Sequence, residues 1–243
     1  IFIFLTMIIV MLGVEKGLEK ASKIMMPLLF IFLLIIVVKS LTLDGALEGV
    51  RYILQPRLHD VSMEGVLFAL GQSFFTLSLG TTGMITYASY APKEMTIKSS
   101  AISIVVMNIL VSILAGLAIF PALKAFGYQP QEGPGLLFKV LPLVFNQMHF
   151  GAIFYFIFLV LFLFAALTSS ISLLELNVSN FTKNDNRKRK PVAFIGSILV
   201  FVISIPATLS FSSLSGVKIG AGTIFDNMDF IVSNILMLSL IHI

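Results

Sequence analysis

Cysteine is absent from the 243 residues, so the chain offers no disulfide framework, no thiolate nucleophile and no thiolate metal site. Charge is scarce. Asp, Glu, Lys and Arg make up 12% of the sequence, against roughly 25% in an ordinary soluble domain. The three histidines, His59, His149 and His242, lie near ends or in loops, and none is spaced for a metal. No basic stretch precedes the first apolar run, where the first charge is Glu15, so no secretory signal peptide is read. The net charge of +4 comes from basic residues scattered over loops, which makes no nucleic-acid footprint.

What is present is apolar. Hydrophobic residues are 58% of the chain, with 23 Phe and 11 Met, and the mean hydropathy is +1.03. A soluble protein of this size cannot hide that much apolar side chain from water. Apolar runs fall at about 1–13, 24–41, 66–90, 101–123, 150–176, 191–211 and 228–243. They are too long and too continuous for outer-membrane strands, which alternate with a period of two over about ten residues. In hydrocarbon every backbone donor and acceptor must be paired internally, so open segments cross as helices. The expected fold is therefore an all-α polytopic membrane protein with one transmembrane domain. The chain starts Ile-Phe-Ile-Phe and ends in an apolar run; both ends are read as lying inside a span, and the sequence as a fragment. Pro27 is expected in the first turns of the second span, where a missing N–H costs little.

Alternating the loops places Lys16, Lys20, Lys23, Lys93, Lys98, Lys183, Arg187, Lys188, Arg189 and Lys190 on one side, in short loops. Lys39, Arg51, Arg57, Lys124, Lys139 and Lys218 fall on the other. The positive-inside rule puts loops 14–23, 91–100 and 179–190 in the cytoplasm of a multi-pass cell-membrane protein. The basic run 187–190 is read as a solvated loop near the lipid headgroups that fixes topology. Residues 42–65 and 124–149 form long outer loops, and the apolar stretch at about 136–148, too short to span, is read as a re-entrant or lid helix over the outer face. Asn177 and Asn180 head glycosylation sequons, but both lie at a cytoplasmic end.

The span at 66–90 carries Gly71, Gly80 and Gly83 among Gln72, Ser73, Thr76, Ser78, Thr81 and Thr82. Gly80 to Gly83 weakens the helix in its middle, where hydroxyls compete for the backbone. A helix broken at that depth is tolerable only facing protein or a water-filled cavity, the arrangement that ion and substrate sites use. The alternative is a small-residue packing face between unbroken helices. Asn108 and Ser112 share a face one turn apart, as a polar site or as glue between helices. Ala165, Thr168, Ser169 and Ser172 form one stripe at helical period. Hydroxyl and carbonyl oxygens suit a weakly held monovalent cation better than a transition metal. Glu175 lies nearly two turns beyond Thr168, and an acid there must face protein.

These residues are also those of a known family. The chain resembles, end to end, a prokaryotic neurotransmitter:sodium symporter, the family of the bacterial leucine transporter. The stretch from Gly13 to Pro27 is similar to that family's junction between helices four and five. Gly71-Gln-Ser-Phe-Phe-Thr-Leu-Ser-Leu-Gly80 resembles its unwound sixth helix, Leu167-Thr-Ser-Ser-Ile-Ser-Leu-Leu-Glu175 its eighth, and Phe225-Asp-Asn-Met-Asp229 the start of its tenth. Residues 237–243 depart from the pattern. The resemblance implies a partial inverted-repeat fold, five helices plus five, with a discontinuous helix six, an architecture that general transporter principles already describe.

It also implies residue roles. One sodium ion takes Thr76 and Asn108, and a second takes the Ala165 carbonyl with Thr168 and Ser169. The substrate, a small amino-acid-like zwitterion, meets Phe75, Ser78, Thr81, Ser169 and Leu173. Some members bind chloride through positions matching Gln72, Thr76, Asn108 and Ser112; others supply an acid instead. Because Ser112 is neutral, the chloride site is favoured here. Glu175 is a gate partner or a structural acid. The function so implied is sodium-coupled amino-acid symport by alternating access. The alternatives are an osmolyte or other small-solute transporter of the same broken-helix class, and a non-transporting membrane subunit. A membrane enzyme needs a positioned acid–base pair, nucleophile or metal cluster, which the sequence does not provide. Oligomeric state is not legible.

Overall fold

A computed structural model describes residues 1–55, 61–78, 83–91, 95–129, 135–182, 185–219 and 222–232. Thr81, Thr82, Lys93, Lys183, His59 and the terminal run 233–243 lie outside the described residues.

The architecture is helical. In chain order it contains α1 (Phe2–Met11), a π-helical turn (Val14–Glu19), α2 (Lys20–Leu41), α3 (Ala46–Leu54), α4 (Met63–Thr76), α5 (Gly83–Ser89) and α6 (Ile97–Ala125). A second π-helical turn (Leu136–Val140) leads into α7 (Leu141–Gln147), followed by α8 (Gly151–Thr182), α9 (Asn186–Leu209) and α10 (Ile224–Phe230). Among the described residues, the strands are a two-residue antiparallel ribbon, β1 (Lys218–Ile219) with β2 (Gly222–Thr223), in which Lys218 pairs with Thr223. Among the described residues, four helices are long and apolar enough to cross a membrane: Gly17–Leu41, Ile97–Ala125, Gly151–Thr182 and Arg187–Leu209.

Pro27 does not open a span. It sits inside α2, because helical backbone begins in the π-turn at Val14 and continues through the stretch read as a loop. Gly13, with φ of +93°, turns the chain out of α1. Gly17 then passes so close to α1 that a Cβ would stand 2.0 Å from the Ile9 carbonyl oxygen. Only glycine fits that approach.

The chain divides into two compact units. One comprises Ala21–Val61 and Glu94–Thr168. Its core joins Leu33, Ile36 and Val37 of α2 to Ala118, Ala122 and Leu123 of α6, then to Val144 and Phe145 of α7 and Phe158 of α8. Phe145 lies 5.7 Å from the Tyr155 ring and 5.5 Å from that of Phe158, the offset contacts that aromatic quadrupoles favour. The loop 42–65 contains a helix, α3, whose apolar face at Ala46 and Gly49 lies on α6. A Cβ on Gly49 would meet the Pro121 Cα at 2.4 Å, so the two backbones touch there. Lys124 closes this contact with its ammonium 5.4 Å over the Tyr52 ring and 3.9 Å from Glu48.

The other unit comprises Ile1–Lys20, Ser62–Lys93 and Ser169–Ile243. Within it α1 packs on α9, and α9 on α10. Thr223 and Asp226 form a reciprocal capping box at the start of α10, which satisfies two helix-terminal donors at once. Hydrogen bonds from the Thr223 hydroxyl and amide hold the Asp226 carboxyl below the usual carboxylate value. The boundary between the units falls within α2 and within α8, between Thr168 and Ser169.

Candidate functional site

The span at 66–90 is interrupted. Ser62 caps α4 by accepting from the Gly65 amide at 3.0 Å. The helix stops at Thr76, Ser78 has a φ of +53°, and α5 is described from Gly83 onward. A non-glycine residue in the left-handed region is uncommon, and here it stands where the helix ends. Local competition contributes: Ser73 donates to the Ala69 carbonyl and Thr76 to that of Gln72, both at 2.8 Å. Such back-bonding loosens and bends helices. Phe75 is half exposed, and Gln72, Thr76 and Ser78 are exposed as well. Thr81 lies outside the described residues.

Hydroxyl direction bears on what such a site can hold. A hydroxyl has one hydrogen and two lone pairs. When Thr76 donates inward to Gln72, its lone pairs remain for a cation. The same pattern recurs on α8, where Thr168 donates to the Phe164 carbonyl at 3.0 Å and the Ala165 carbonyl at 2.9 Å. Ser169 beside it and Leu173 one turn on are exposed. On α6 Ser112 donates to Asn108 Oδ1 at 3.4 Å. Thr76 and Ser112 thus each donate to a group one turn back on their own helix; an anion at either residue requires its hydroxyl to turn.

Glu175 is in a different situation. It is fully buried and forms an ion pair with the guanidinium of Arg189. Tyr90 donates to Glu175 Oε1 at 3.2 Å and reaches Ser179 Oγ at 2.9 Å. Arg189 Nε donates to the Val10 carbonyl at 2.9 Å. That carbonyl, in the last turn of α1, also accepts from the Gly13 amide at 3.1 Å, and a cation is favoured at this end of a helix. Arg189 therefore departs from the reading of 187–190 as a solvated run. At the start of α9 it turns inward, while Arg187, Lys188 and Lys190 stay exposed. The single signal in the sequence is an uncompensated acid, Glu175, buried fourteen residues earlier.

An interrupted apolar span, hydroxyl-bearing turns on α6 and α8, and helices long and apolar enough to cross a membrane define a helical membrane fold of the broken-helix class. The chain belongs to the sodium:neurotransmitter symporter family, whose sequence model matches residues 1–242. An uncharacterized sodium-dependent transporter of Bacillus subtilis (strain 168), YhdH, is 52% identical over 98% of this chain and 52% of its own length. A sodium-dependent transporter of Haemophilus influenzae is 37% identical, again over 98% of this chain and 52% of its own length. The crystal structure of MhsT in complex with L-phenylalanine superposes with a TM-score of 0.87 at 40% identity, covering 98% of this chain and 55% of that one. The chain spans about half the length of the curated relatives it matches.

Proposed function

We propose that the whole protein couples inward sodium movement to uptake of an amino acid or related small zwitterion across the cell membrane. The observation that carries this reading is the helix end at Thr76, followed by Ser78 in the left-handed region, inside one apolar span. Backbone left unpaired at that depth is stable only at a polar site. In this transporter architecture such half-helix ends hold ions and substrate carboxylates near the bilayer midplane, and rocking of one repeat against the other gives alternating access. The likeness to MhsT, whose structure is a complex with L-phenylalanine, favours a hydrophobic amino acid.

We assign Thr76 and Asn108 to one sodium ion, and the Ala165 carbonyl with the Thr168 and Ser169 hydroxyls to a second. These are neutral oxygens, which replace hydration water without trapping the ion. Phe75, Ser78, Thr81, Ser169 and Leu173 are assigned to the substrate. Glu175 is assigned as a structural acid that also holds the inner end closed while paired. Loops 14–23, 91–100 and 179–190 are placed in the cytoplasm, and 136–148 as a lid on the outer face. Chloride is assigned to Gln72, Thr76, Asn108 and Ser112, as a second counter-charge for two sodium ions.

The test is uptake of radiolabelled amino acids by the whole protein in liposomes, with sodium or with choline outside. Concentrative uptake that requires sodium is expected, and equal uptake in choline overturns the reading. Replacing chloride by gluconate is expected to reduce uptake, and Ser112→Glu to remove that dependence. Wild-type uptake indifferent to chloride rejects the anion site alone.

A further inference from the structure

We propose that Thr6 is a positioning residue for the sodium-binding oxygens of α8. The proposal rests on the assignment of Thr168 and Ser169 to a sodium ion. Thr6 is the one hydroxyl in α1, whose sequence is otherwise apolar, and it is 2% exposed. Its oxygen lies 3.1 Å from Ser170 Oγ, 164 residues away in sequence. It also donates to the Phe2 carbonyl at 3.2 Å. With its single hydrogen so used, it accepts from Ser170. The two hydroxyls form a relay that ends on the backbone of α1. Thr6 is closed off from solvent, so losing its partner leaves a buried hydroxyl less than fully satisfied.

Ser170 directly follows Ser169. Consecutive residues on a helix are ~100° apart, so anchoring Ser170 against α1 fixes where Thr168 and Ser169 face. Side-chain oxygens stand ~5–6 Å from a helix axis, so a rotation of ~10° displaces them by ~1 Å. A displacement of that size is enough to spoil a preorganised site. A second tie prevents tilt. The Val10 carbonyl, one turn further along α1, accepts from Arg189, which is paired to Glu175 on α8. Thr6 and Val10 are the two buried residues of α1, and both hold α8, one directly and one through α9.

The experiment measures radioactive sodium binding to the purified whole transporter, alongside its thermal midpoint. Thr6→Val is expected to raise the half-saturating sodium concentration about three- to tenfold. Ser170→Ala is expected to give the same rise, the double variant no further rise, and Thr6→Ser near-wild-type binding. Helix packing alone predicts a lower thermal midpoint with an unmoved sodium curve. An unmoved curve for Thr6→Val or, should that variant fail to fold, for Ser170→Ala overturns the proposal, provided Thr168→Val shifts the curve. If Thr168→Val also leaves it unmoved, the sodium assignment on α8 has failed, and the proposal falls with it.

Discussion

Thr168 and Glu175 stand seven residues apart on α8 and satisfy their polarity by different means. Thr168 turns its hydrogen onto carbonyls of its own helix, while Glu175 recruits Arg189 from α9 and Tyr90 from the end of α5. The difference follows from what each group costs. A hydroxyl is satisfied by one local bond and keeps lone pairs to spare. A buried carboxylate needs an opposite charge and further donors, which one helix cannot supply. The first arrangement leaves room for an exchangeable ion; the second fixes three elements together. On the proposed sodium assignment, ion-handling and structural rigidity fall to different turns of one helix.

The largest effect should come from breaking the rigid end. Glu175→Gln leaves the Arg189 guanidinium buried without a counter-charge, and is expected to cost about 3–5 kcal/mol. It should appear as a sharply lower thermal midpoint in detergent. Glu175→Gln with Arg189→Gln should recover part of the loss; a double variant less stable than either single would contradict the pairing. Tyr90→Phe removes only the hydroxyl and should cost about 1 kcal/mol, read in the same assay. A smaller effect is expected at a charge outside the spans. The Asp226 carboxyl is held below its usual range by Thr223, so its folded value lies beneath its unfolded one. Its stabilisation is complete above the ordinary carboxylate range and is lost as pH falls through the depressed folded value. Asp226→Asn should therefore flatten the slope of the thermal midpoint between about pH 5 and pH 2. An unchanged slope would show that the capping box carries no such linkage.

Much of this could be read from residue order. Long apolar runs required helices, and the glycines and hydroxyls between Gly71 and Gly83 marked an interrupted span. What escaped depends on distant partners. Arg189 sits among three exposed basic residues, and nothing in Arg-Lys-Arg-Lys says which one turns inward. That choice is made by Glu175 and by the end of α1. Likewise Thr6 is an ordinary threonine in an apolar run until Ser170 is brought beside it. Within the stretch 42–65, the charges Glu48 and Arg51 mask the Ala46 and Gly49 face of α3 that packs on α6. The helical start at Val14 was hidden by Gly13 and Gly17, which suggest a turn when read singly. In the structure Gly17 permits close approach inside a helix.

The contrast along α8 is tested most directly by sodium binding to the purified whole protein and its Thr168→Val variant. The hydroxyl is a ligand by this account, so the half-saturating sodium concentration should rise about tenfold while the thermal midpoint stays close to wild type. A variant that binds sodium with the wild-type curve would show that Thr168 serves its own helix alone, and that α8 does not hold the ion.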